Sequence, residues 1–60
     1  MFAEQIAITV TSNGKTYRKV KTIFSDGAYH NVDAAVKNSV AVEWALIGIE
    51  VDSISWSYSN

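Results

Sequence analysis

Cysteine and proline are absent from this 60-residue chain, glycine occurs three times and histidine once. Without cysteine there are no disulfides and no thiolate metal ligands, and the redox compartment is left undetermined. One histidine cannot build a zinc site without several carboxylates beside it, and the sequence clusters none. No metal and no cofactor are therefore expected. No run approaches the roughly 18 apolar residues of a membrane span, because Glu43, Glu50 and Asp52 interrupt the apolar stretches. The first residues, Met1 to Ile6, lack a basic segment followed by an apolar one. No secretory signal is read there, and a cytoplasmic location is the default expectation.

What is present is a greasy small chain. Apolar residues make up 48% of it, charged residues 18%, and the formal net charge is −1. A domain of this size buries only about 60% of the surface its unfolded chain exposes. Disulfides and metals being excluded, the remaining support for so small a fold is a partner chain.

Charge is unevenly placed. Residues 1–25 hold Lys15, Arg18, Lys19 and Lys21 against Glu4 alone, whereas residues 26–60 hold Lys37 against five carboxylates. Such asymmetry marks a basic binding face, two copies meeting basic end to acidic end, or plain solubility. A pI near 5.6 argues against a dedicated nucleic-acid binder, for which values above about 9 are usual.

Three apolar blocks lie between Gly14, Gly27 and Gly48, with no repeat and no low-complexity segment. Residues 3–11 alternate, with Ile6, Ile8 and Val10 on one side and Gln5, Ala7, Thr9 and Thr11 on the other, which reads as a half-buried strand. Residues 15–24, rich in Thr, Tyr, Val, Ile and Phe, read as a second strand. Between them Asn13-Gly14 signals a hairpin. A two-residue loop would set Ile6 and Ile8 beside Lys21 and Lys19, mixing apolar and charged stripes. A three-residue loop with a G1 bulge at Gly14 avoids the mixture and is the register expected here. It leaves Tyr17, Lys19 and Lys21 on the open face of the sheet.

Residues 32–47 contain four alanines plus Leu46, Lys37 and Glu43 and read as a helix. Asn31 or Asp33 is the expected N-cap, and Gly48 the left-handed residue that ends it. Val36, Val40, Trp44 and Ile47 fall on one helical stripe, and Ala35, Val42 and Leu46 on a second. A rival strand reading of 39–47, from the alternation of Val40, Val42, Trp44 and Leu46, leaves only Gly48 to turn the chain. Residues 49–58 read as a third strand, with a phase shift at Asp52-Ser53 that suggests a bulge or bend.

The expected fold class is α+β: one ββαβ domain over residues 1–60. Its three-stranded antiparallel sheet runs in the order 2-1-3, with the helix packed on one face. Arg18, Lys19 and Lys21 would guard the edge formed by strand two, and the third strand would be an undefended edge. A marginal core, a helix with two apolar faces and an aromatic edge together imply self-association. The expected interface residues are Val42, Leu46, Ile54, Trp56 and Tyr58, since Trp and Tyr often anchor interfaces.

Chemistry finds little footing. Ser25, His30 and Asp33 lack a nucleophile elbow or oxyanion segment and read as turn, loop and cap residues. The carboxylates form no spaced pair, and no phosphate loop is present. The expectation is a non-enzymatic protein-interaction module acting as a homodimer, with an unidentified protein partner and no membrane. Its size is that of accessory or host-modulating factors such as phages encode. The alternative is weak nucleic-acid binding through Tyr17, Arg18, Lys19 and Lys21, an aromatic among cations.

Overall fold

In the computed structural model, which describes residues 1–59, the chain runs β1 (Phe2–Ser12), β2 (Lys15–Ser25), α1 (Tyr29–Leu46) and β3 (Ser53–Tyr58). The strands form one antiparallel sheet in the order β2-β1-β3, and α1 packs on one face of it. This is the ββαβ, α+β architecture that the periodicities imply. The most apolar strand is in the middle.

The hairpin register differs from the expected one. Ile6 pairs with Lys21, Ile8 with Lys19 and Val10 with Tyr17, so the loop is the two-residue Asn13-Gly14 turn. Both residues have positive φ, 50° and 78°, as a type I′ turn requires, and that turn matches the natural twist of the strands. The mixture of stripes that seemed prohibitive is accommodated by the length of lysine. The stems of Lys19 and Lys21 run along the face beneath α1, and their ammonium groups reach Glu43 and Ser39 on the helix. One face of the sheet thus carries Ile6, Ile8, Val10, Ile23, Lys19 and Lys21. The other carries Ala3, Ala7, Thr9, Val20, Thr22 and Phe24 and has no element packed on it among the described residues.

The core is a single layer. Val32, Val36, Val40 and Trp44, four residues apart, make the buried stripe of α1. They close over Ile6, Ile8, Val10 and Ile23, with Ile54, Trp56 and Val51 packed at the margin. Burying each such side chain contributes about 1.5–3 kcal/mol. The net stability of a 60-residue domain is only about 3–9 kcal/mol, so each member of the stripe matters.

Helix α1 begins three residues before the expected start. Asp26 organises the turn ahead of it: its Oδ1 accepts the Ala28 N–H at 3.0 Å and its Oδ2 accepts the Asn31 side-chain amide at 2.7 Å. Ala28 is the N-cap and supplies no side-chain bond. Asn31 and Asp33 therefore lie inside the helix instead of capping it. The C-terminus matches expectation: Gly48 has φ 74°, its N–H donates to Ala45 and that of Ile49 to Trp44. These are the two bonds of a Schellman ending. The helical reading of residues 39–46 prevails over the strand reading, and Ile47 lies past the helix end, 65% exposed.

Strand β3 is shorter than expected. Residues 49–52 form an irregular connection held to the hairpin tip: Ser12 Oγ donates to the Glu50 carbonyl, and the Asn13 N–H donates to Asp52. The Asp52 N–H bonds the Thr11 carbonyl, although the register partner of Thr11 is Ser53. Two residues thus face one at the start of β3, the arrangement of a β-bulge, where the sequence shifts phase. Gly14→Ala would place a Cβ at φ 78°, and we expect a loss of about 1 kcal/mol or more in urea unfolding. Ile8→Ala is expected to cost about 2–5 kcal/mol, enough to lower the midpoint severely.

Candidate functional site

Three surface features remain once the core is built: the outward side of α1, an aromatic group where α1 meets β3, and the two sheet edges with the uncovered face. On α1, Val42 is 61% and Leu46 82% exposed, with Ile47 continuing the patch beyond the helix. Of the second stripe read from the sequence, Ala35 packs against the core, whereas Val42 and Leu46 have no cover among the described residues.

Of the other expected interface residues, Ile54 and Trp56 are half-buried against the core, and Tyr58 is exposed. The register puts all three on the helix side of the sheet, opposite Val10, Ile8 and Ile6. The indole N–H of Trp56 donates to Asp33 Oδ1 at 2.7 Å. Tyr29 stacks on the indole at 5.2 Å between centroids, and Tyr58 meets it edge-on at 5.3 Å. Trp56 thus closes one flank of the core, with a polar anchor for its nitrogen. The five expected interface residues do not form one surface: Val42 and Leu46 point away from the chain, whereas Ile54 and Trp56 pack into it.

Helix and sheet also meet through charge. Glu43 accepts from both Lys19 and Lys21, and these hydrogen bonds, that of Lys19 foremost, pull its pKa from 4.5 down to about 2. Asp33 is held below the usual carboxylate range by the Trp56 indole, then by Lys37 at 3.0 Å. Asp26 is lowered by the Ala28 N–H and the Asn31 amide. Tyr17 lies edge-on to Trp44 at 5.0 Å. The expected open-face platform of Tyr17, Lys19 and Lys21 is thereby corrected: these residues share the face that α1 covers, because the two-residue turn reverses the side on which β2 presents them. Arg18 projects from the opposite face, away from all three.

The same reversal alters the sheet edges. In an antiparallel pair, alternate residues direct their backbone groups to the partner. The Ser59 N–H bonds the Gln5 carbonyl, so odd positions of β1 serve β3 and even positions serve β2. By that alternation the even residues of β2, from Thr16 to Phe24, turn N–H and C=O outward, as do Ile54, Trp56 and Tyr58 on β3. With Lys19 and Lys21 drawn under the helix, Arg18 is the one cation left on the bare-face side of β2. Beside it, Val20 and Phe24 are 60% and 61% exposed. The alternation of Val20, Thr22 and Phe24 is readable in sequence, but a three-residue loop would turn these residues toward the core, whereas the observed pairing turns them away.

Ser25, His30 and Asp33 are not brought together. Ser25 Oγ accepts the Gly27 N–H, Asp33 is engaged by Trp56 and Lys37, and His30 is exposed. Among the described residues no group of His, Asp and Glu is arranged to hold a metal ion, and no helix is long and apolar enough to cross a membrane. Comparison with protein-family models, curated proteins and solved structures finds no match.

The Glu43 pairs make stability depend on acid. With a folded pKa of about 2 against an ordinary 4.5, their contribution is complete above about pH 5 and is lost as pH falls toward 2. Asp26 and Asp33, shifted the same way, add to the loss in that window. Glu43 is part-exposed, so solvent screening holds each pair under about 1 kcal/mol. Urea midpoints measured from pH 7 to pH 2 should fall for the wild type and fall less for Glu43→Gln.

Proposed function

We propose that this chain is a non-enzymatic protein-interaction module that self-associates, as a homodimer, and displays the Val42–Leu46 stripe of α1 to a protein partner. The observation that carries the reading is apolar surface left outside a complete core. Val42, Leu46 and Ile47 on one side and Val20 and Phe24 on the other are each at least 60% exposed. Large exposed apolar groups beside unpaired strand edges are the usual composition of association surfaces. A chain of this size gains from a second copy, since its own core is one layer deep.

Nucleic-acid binding has less support, because Lys19 and Lys21 are committed to Glu43 and Arg18 stands alone on the bare-face side of β2. Oligonucleotides at low salt are expected to show no retardation by the protein. A shift that weakens steeply with salt would restore that alternative.

Light scattering on the wild type is expected to give about 13 kDa at micromolar concentration, twice the 6.6 kDa of one chain. A mass of one chain throughout that range would remove the reading. The double substitution Val42→Lys and Leu46→Lys should leave unfolding free energy within about 0.5 kcal/mol of wild type, as exposed positions do. It should also reduce, by about half, the binding of a hydrophobic dye to the native protein. A loss of several kcal/mol would show that the stripe is structural.

A further inference from the structure

We infer that the second copy docks on the outer edge of β2, in antiparallel register about a two-fold axis at Thr22, making a continuous six-stranded sheet in the order 3-1-2-2′-1′-3′. This rests on the self-association proposed above and adds the edge and the register.

The edge is chosen by length and by what its side chains do. β2 is 11 residues long and β3 six, and an axis at Thr22 pairs residues 19–25 of the two copies. On β3 the apolar side chains beside the outward backbone groups are engaged within the chain: Trp56 is held by Asp33 and Tyr29, and Ile54 packs against the core. On β2 the outward positions carry Val20, Thr22 and Phe24, whose side chains stand exposed on the bare face. The lysines that would guard this edge project from the helix side of the sheet and are paired with Glu43. A long edge with exposed apolar residues and few free cations is what strand addition requires.

The register follows from what a two-fold axis would set opposite what. With the axis at Val20, Lys19 faces the second copy's Lys21, twice over. With it at Lys21, that lysine faces its own copy. Like charges directly opposite destabilise a pair of strands. With the axis at Thr22, no lysine directly faces another. Lys21 then faces Ile23 of the second copy, and Lys19 faces Ser25. Lys21 and its copy are diagonal neighbours, about 7–8 Å apart, each with its ammonium held by the Glu43 of its own chain. On the bare face Val20 meets Phe24 at both ends, an aromatic against a β-branched side chain, which is a favourable cross-strand pair. Just past the end of β2, Arg18 is brought toward Asp26, whose carboxylate also accepts the Ala28 N–H and the Asn31 amide, a cation near an anion at both ends. Moving the axis one residue on, to Ile23, would set Val20 against Asp26 and lose both matches. Because the axis runs perpendicular to the sheet, both helices lie on one side, and the two Val42–Leu46 stripes face the same way.

The absence of cysteine makes the test direct. Thr22→Cys puts one thiol on the axis, where paired Cα atoms lie about 5.5 Å apart, within disulfide range. Mild oxidation is expected to convert this variant to a covalent dimer at least tenfold faster than Val20→Cys or Ser55→Cys. Thr22→Pro is the second variant. It removes an N–H that β1 does not use and one exposed bond that the Gln5 side chain donates to the Thr22 hydroxyl, so circular dichroism should be little changed while the dimer dissociation constant rises at least tenfold. A wild type of dimer mass whose cross-linking is fastest at Val20 or Ser55, or whose dissociation constant is unmoved by Thr22→Pro, would overturn the edge or register and leave self-association standing. A wild type that is a monomer throughout would overturn both.

Discussion

The conformation of two residues decides which side of this molecule is which. Asn13 and Gly14 both adopt positive φ, so the hairpin closes with two loop residues and not three. Strand side chains alternate, so one residue more in the loop would exchange every inward position of β2 with an outward one. The turn determines that Ile23 lies under the helix, that Val20 and Phe24 lie in the open, and that Lys19 and Lys21 stand within reach of Glu43. The composition of the core and the character of the outer edge both descend from that parity.

The lysines show how the arrangement is tolerated. A charged stripe beside an apolar one is costly if the charges must be buried, but a lysine stem is apolar for most of its length. Lys19 and Lys21 widen the floor beneath α1 with methylene groups and release their charge at its rim, where Glu43 receives both. The basic first half and acidic second half of the chain meet there, within one molecule. Much of the charge asymmetry is thereby absorbed by packing of helix on sheet.

The sequence made most of the architecture readable. Ile6, Ile8 and Val10 announced a central strand, Val36, Val40 and Trp44 a helix face, and Gly48 its end. The phase shift at Asp52-Ser53 marked the place where β3 begins in a bulge. The register is not legible from polarity counted by whole side chain, because lysine is divided along its length. The helix start is not legible at Asn31 or Asp33, because Asp26 acts from outside the helix, through a turn, and leaves Ala28 as the cap. For the candidate site, the exposure of Val42 and Leu46 was legible as a second stripe. The polar anchor and stacking partner of Trp56 are not, since Asp33 and Tyr29 come together with it only through the tertiary fold.

The tether between the hairpin tip and residues 50–52 has a consequence for the order of assembly. Thr11, Ser12 and Asn13 can grip that connection only after the tip exists, and joining β3 to β1 closes a loop of some forty residues, a slow event beside the zipping of a hairpin. β3 is therefore expected to dock after the hairpin has formed. Until it does, β1, the greasiest strand, has a naked flank, and the nascent chain passes through an adhesive interval that the finished fold conceals.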